Sequence, residues 1–208
     1  MPTQRKFLDQ SFFALNNVLD TPELLAALEA HGYGAKALQV GLGLHAQIEV
    51  ATETRDAAYG LVRSTNRAAQ QAKGTLLELF RGHLTLARTA FEREGYPDDM
   101  KITGPRAGAT GEWLAQAKKF YQHVPIALMV KYHVPQKELV EAQKMVAKVM
   151  ELLALQKKTN SQAQQLTQDR RARYHEFYNW MKKFMGIARA IFDAQPQRLE
   201  ALSQLVKS

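Results

Sequence analysis

The chain has 208 residues, 46% of them hydrophobic and 23% charged, the proportions of an ordinary globular protein rather than a disordered one, with enough apolar material for a real core. It contains no cysteine, which excludes disulfides, thiolate metal sites and a cysteine nucleophile together. The formal net charge is +8, and the excess lies entirely in the second half: residues 1–110 hold 12 Lys/Arg and 12 Asp/Glu, residues 111–208 hold 16 and 8. Asymmetry of this kind marks either a solvated basic face or a surface for an acidic partner, nucleic acid or anionic lipid, and the solvated face is the plainer reading.

Met1 to Gln10 has no apolar h-region, so a secretory signal is not expected. The longest apolar runs, such as Ile126 to Val130, fall far short of the ~20 residues that span a bilayer. A cytoplasmic protein with no membrane span is the expectation.

Taken in chain order, the elements are all helical. An amphipathic helix is predicted over about Arg5–Leu19. A short one follows at Pro22–His31, capped by Thr21 or Asp20 with Pro22 at its first position. A long helix begins after Gly34. The stretch Gly95–Gly111 (GYPDDMKITGPRAGATG) is the densest in breakers and reads as a linker. Beyond it come helices at about Glu112–Gln122 and Pro125–Tyr132, a second long helix from Pro135, and a short closing helix over Glu200–Val206.

The two sides of the linker are alike. A shift of 101 residues places Leu84-Thr-Leu-Ala-Arg-Thr-Ala-Phe91 on Met185-Gly-Ile-Ala-Arg-Ala-Ile-Phe192, Leu38 on Leu139, Ile48 on Val149 and Leu76 on Phe177. Phe12 and Phe13 fall on Trp113 and Leu114 by the same shift, and Pro22 meets Pro125 if the register slips by two. Residues 1–94 and 112–208 are therefore read as two copies of one helical unit, joined by 95–111 and packing as one domain.

Alternating steps of three and four residues carry a single seam along each long helix. In the second copy it runs Leu139, Ala142, Val146, Val149, Leu153, Gln156, Asn160, Ala163, Thr167, Arg170, Tyr174, Phe177, Met181, Phe184, Ala188, Ile191. The first copy gives the same phase from Leu38 through His45, Thr52, Tyr59, Lys73 and His83 to Ala90. Both seams are apolar at the ends and polar between. Two long, heptad-patterned helices packed together follow from that phase. The alternative is a compact four-helix-type bundle with turns near Thr52–Gly60 and Lys157–Gln165.

Signatures for phosphate loops, dinucleotide folds, zinc helices and hydrolase elbows are missing, as is the Glu-x-x-His pair of di-iron bundles. His45, Glu49 and Glu53 share a helical face at i, i+4 spacing, which permits a cation but is common on solvated helices. His83 falls in the seam, where a satisfied or partly exposed seam histidine is a plainer reading than a catalytic one. No nucleophile, base and orienting acid can be assembled. The reading therefore assigns no catalytic residue, cofactor or metal.

One surface stands out. Arg170, Arg171 and Arg173, with Lys182 and Lys183, lie among Tyr174, Phe177, Tyr178 and Trp180. That composition suits nucleic acid, where cations meet phosphates and rings meet bases. The aromatics recur at helical spacing, so a core stripe is the plainer account.

The string PELLAALEAHGY, the second copy, and the paired LARTAF and IARAIF endings resemble an uncharacterised group of bacterial all-helical proteins. The resemblance implies a duplicated helical fold and supplies no activity. The expectation is a non-enzymatic, self-associating scaffold or interaction module, a homodimer or the partner of another protein. Nucleic-acid binding through the basic second half is the alternative.

Overall fold

The structure, a computed structural model, describes residues 4–94, 109–195, 197–198 and 202. The fold is all-α. The described residues form six helices: α1 (Gln4–Asp20), α2 (Pro22–Glu29), α3 (Ala35–Glu94), α4 (Thr110–His123), α5 (Ile126–Lys131) and α6 (Gln136–Phe192). The closing helix expected over Glu200–Val206, apart from the buried Leu202, and most of the 95–111 linker lie outside the described residues. The last linker positions, Thr110 and Gly111, already belong to α4.

Helix α3 is 60 residues long and α6 is 57. The turns of the bundle alternative do not form, because Thr52–Gly60 and Lys157–Gln165 are both helical. Neither segment contains proline, and threonine hydroxyls there bond to their own helix. Thr52 Oγ1 donates to the Ile48 carbonyl at 2.8 Å, and Thr159 Oγ1 to that of Gln156 at 3.1 Å. Of the residues placed in the two seams, only Tyr59 is exposed.

The polar middles mark the boundary between two compact units. Unit 1 comprises residues 1–58 and 162–208, and unit 2 comprises 59–161. Each unit takes its short helices and the start of a long helix from one half of the sequence, and the tail of a long helix from the other half. Unit 1 is built on Leu8, Leu15, Val18, Leu28, Leu38, Ile48, Phe177, Met181, Phe184 and Phe192. Unit 2 is built on Leu76, Phe80, Leu84, Phe91, Trp113, Phe120, Met129, Leu139, Val146 and Val149. In unit 1 the contacts between α3 and α6 run antiparallel, since Gln47 meets Arg173 and Thr52 meets Arg170.

The same local geometry closes both short helices. The N–H groups of Gly32 and Tyr33 donate to the carbonyls of Glu29 and Leu28, and those of His133 and Val134 to Val130 and Met129. This is the paired bonding of a Schellman cap, which needs a left-handed residue. Gly32 adopts φ 86° and His133 φ 64°. Glycine reaches that region freely; histidine enters it at a cost of about 1–2 kcal/mol.

The first helices require a different alignment from the sequence reading. Phe12 and Phe13 are 42% and 57% exposed, whereas Trp113 and Leu114 are buried. Burial instead pairs Leu8, Ser11, Ala14, Leu15 and Val18 with Leu114, Ala117, Phe120, Tyr121 and Val124, two sets with identical spacing. Ten residues lead from Val18 to Leu28 but only five from Val124 to Met129. An ungapped shift therefore cannot hold on both sides of α2 and α5.

Candidate functional site

In unit 2, the seam brings a histidine, a tyrosine and a glutamate together. His83 of α3 is 3% exposed. Its Nδ1 lies 2.9 Å from the Tyr121 hydroxyl of α4, and its Nε2 lies 2.9 Å from Glu138 Oε1 in the first turn of α6. Burial, with the Glu138 carboxylate nearby, pushes the Tyr121 hydroxyl well above its ordinary range, so it stays protonated and donates to Nδ1. Nε2–H then donates to the carboxylate, an assignment in which all three groups are satisfied.

An open cavity of about 420 Å³ lies beside this cluster, lined by Thr75, Glu78, Leu79, Gly82, His83, Leu86, His133, Val134 and Glu138. Both ring nitrogens of His83 are engaged, and the far end of the chain is a buried phenol. The arrangement can tie three helices together; it leaves His83 no free lone pair for a substrate proton. The seam histidine is thus a satisfied one. What the sequence did not disclose was its partners, 38 and 55 residues away. The available signal was Tyr121 on the buried face of α4, since a buried phenol needs a polar neighbour.

Unit 1 carries a seam histidine at a different level. His45 is turned inward against Phe12 and Phe177, with ring centroids 5.3 and 5.7 Å away. Its Nε2 is buried without a hydrogen-bond partner. Glu49 is half-buried and Glu53 exposed, and the three do not assemble into a metal-holding group; none occurs among the described residues. Burial lowers the pKa of His45, an effect partly offset by the carboxylates of Glu49 and Asp9 and by a hydrogen bond with the Leu8 backbone.

A group whose folded pKa is depressed stabilises the fold above its unfolded value, near 6.5, and that stability is lost as pH falls through the folded value. At the position equivalent to His45 by the 101-residue shift, unit 2 has the buried Val146. His45→Val is therefore expected to stabilise the protein by roughly 1 kcal/mol at neutral pH and to lessen the loss on acidification. Urea denaturation at pH 7.5 and 5.5 checks this. Equal losses in variant and parent would show that His45 is not responsible.

The five basic residues separate into two groups. Arg170 points into the seam, its Nε donating to Thr52 Oγ1 at 2.9 Å and its Nη1 to Gln4 Oε1 at 3.2 Å. Arg173 donates from Nη1 to Gln47 Oε1 at 2.6 Å and borders a groove of about 460 Å³ with Ala46, Val50, Ala51, Thr54, Leu166 and Asp169. Arg171, Lys182 and Lys183 are exposed.

The rings divide as well. Phe177 is buried and Tyr174 half-buried; burial and the neighbouring Tyr178 raise the Tyr174 pKa, with Arg170 opposing. Trp180 stacks on Phe184 at 5.6 Å. Tyr178 alone of the four is exposed. The aromatic stripe is mainly core, as its spacing predicted.

Comparison with protein-family models, curated proteins and solved structures finds no match. No helix among the described residues is long and apolar enough to cross a membrane.

Proposed function

We propose that the chain is a non-enzymatic helical scaffold of the cytoplasm that associates with a second copy of itself. The observation that carries this reading is a set of apolar side chains left in solvent on long helices whose seams are already filled. Val50 and Leu61 of α3 are 62% and 52% exposed, and Met150 and Leu155 of α6 are each 44% exposed. Burying such groups stabilises an assembly by about 25 cal/mol per Å² of apolar surface removed from water. A two-fold contact can cover such side chains with the same surface of a second copy and needs no other molecule. The engaged state of His83 supports a structural role for the most site-like cluster.

Sedimentation equilibrium across the micromolar range tests it. A dimer mass is expected for the parent, shifting toward monomer in Leu61→Glu and Leu155→Glu. A monomer at every concentration would overturn the self-association reading.

Nucleic-acid binding through the second half is the other reading. Arg170 and Arg173, engaged with α1 and α3, weaken it. A specific observation favours it: the exposed face of α6 that carries Arg171, Tyr178 and Lys182.

A further inference from the structure

We infer that one face of α6 in unit 1 is a binding surface for single-stranded nucleic acid, with Tyr178 as the stacking platform between Arg171 and Lys182. The inference rests on the second reading above. Positions 171, 175, 178 and 182 follow i, i+4, i+7, i+11 spacing and so share one helical face. Arg171, His175, Tyr178 and Lys182 are all exposed. Arg189 returns to the same face after five full turns and is also exposed. No aspartate or glutamate interrupts this row between Gln164 and Arg189.

Tyr178 is fixed in place from beneath. Its ring stacks on Tyr174 with centroids 6.3 Å apart and meets Phe7 of α1 at 5.4 Å, yet 43% of the residue remains exposed. A supported ring loses little conformational freedom when a base settles on its free side. At 1.5 Å per residue, Arg171 and Lys182 lie about 10 Å and 6 Å along the helix from it. Cations at those distances on either side of a ring can follow the phosphates flanking one stacked base.

The chemistry selects this partner over two others. A duplex offers phosphates to the cations but keeps its bases stacked, leaving Tyr178 without a role. An anionic lipid surface would draw on a wide apolar face for insertion. This row presents a single ring, and Met185, the next apolar residue on it, is buried.

Fluorescence anisotropy with a labelled oligothymidylate, using the full chain at low and moderate salt, tests the inference. The parent is expected to bind with strong salt dependence. Tyr178→Ala should weaken binding on the order of ten-fold, with Tyr178→Phe close to the parent. The pair Arg171→Glu and Lys182→Glu should weaken it further and flatten the salt slope by about two. Lys144→Glu, an exposed reversal on α6 in unit 2, serves as the control and should leave binding unchanged.

No binding by the parent at low ionic strength overturns both the inference and the reading beneath it. Binding that survives the Tyr178 and Arg171/Lys182 changes overturns the inference alone, because the basic half would then act elsewhere. Equal or tighter binding of the matching duplex, or of phosphatidylserine vesicles, overturns the assignment to single strands.

Discussion

Alanine in place of Phe177 is expected to lower the stability of the protein by about 3–5 kcal/mol, the range for a phenylalanine truncated inside a packed core. Phe177 is fully buried. It sits where α1, α3 and α6 meet, with Phe7 at 6.1 Å and His45 at 5.7 Å. The cavity left by the ring would be bounded by helix backbones that cannot all close upon it, so the transfer and void penalties add. Its equivalent in unit 2 is the fully buried Leu76, where alanine is expected to cost about 2–5 kcal/mol. Urea denaturation followed by circular dichroism measures both. A loss below about 1 kcal/mol at Phe177, outside that range, would mean that the unit 1 cluster is loosely packed.

The second large effect concerns close packing between backbone and ring. A Cβ placed on Gly41 would lie 2.5 Å from the Trp180 Cη2 atom. The indole cannot simply swing away, because it stacks on Phe184 at 5.6 Å and meets Tyr33 edge-on at 5.8 Å. Gly41→Ala is thus expected to destabilise the protein by about 1–3 kcal/mol through overpacking. This opposes the gain of up to ~1 kcal/mol that alanine normally brings to a helix interior.

The 101-residue shift supplies the remedy. Ala142 stands at the position of Gly41, and Leu79 at that of Trp180. Combining Gly41→Ala with Trp180→Leu should recover part of the loss, and thermal melts of the two single variants and the double variant complete the cycle. Additive losses in the double variant would show that the two positions do not share one contact.

Much of this fold can be read in the sequence because its signals are local and long. The start of each long helix follows from Gly34 and Pro135, and α3 and α6 begin at the next residue in each case. Seam phase survives the polar middles because Thr52, Thr159 and Thr167 bond back to their own helices, so polarity there does not signal a turn. The polar interruption of each seam was visible, but the division into residues 1–58 with 162–208 and residues 59–161 was not, because it follows from which long-helix ends pack against which short helices.

The site was less legible. Nothing local to Arg170 announces Gln4 as an acceptor, and nothing near His83 points to Glu138. These pairings exist only once distant helices pack together. Ring exposure was more legible: Tyr174 holds a seam position and is half-buried, whereas Tyr178 lies off the seam and is exposed.

The way the two units divide the chain also fixes an order of events during synthesis. Unit 2 is one unbroken stretch, residues 59–161, whereas unit 1 joins residues 1–58 to residues 162–208. A chain leaving the ribosome presents α1 and α2 long before Phe177, Met181 and Phe184 of α6, which share their cluster. Unit 2 has all its parts well before then and can close alone. The apolar faces of α1 and α2 must wait, exposed to any passing chaperone or neighbouring nascent chain. Unit 1 consequently forms by closing the longest loop in the molecule, and damage near the C-terminus would be felt first by the helices at the N-terminus.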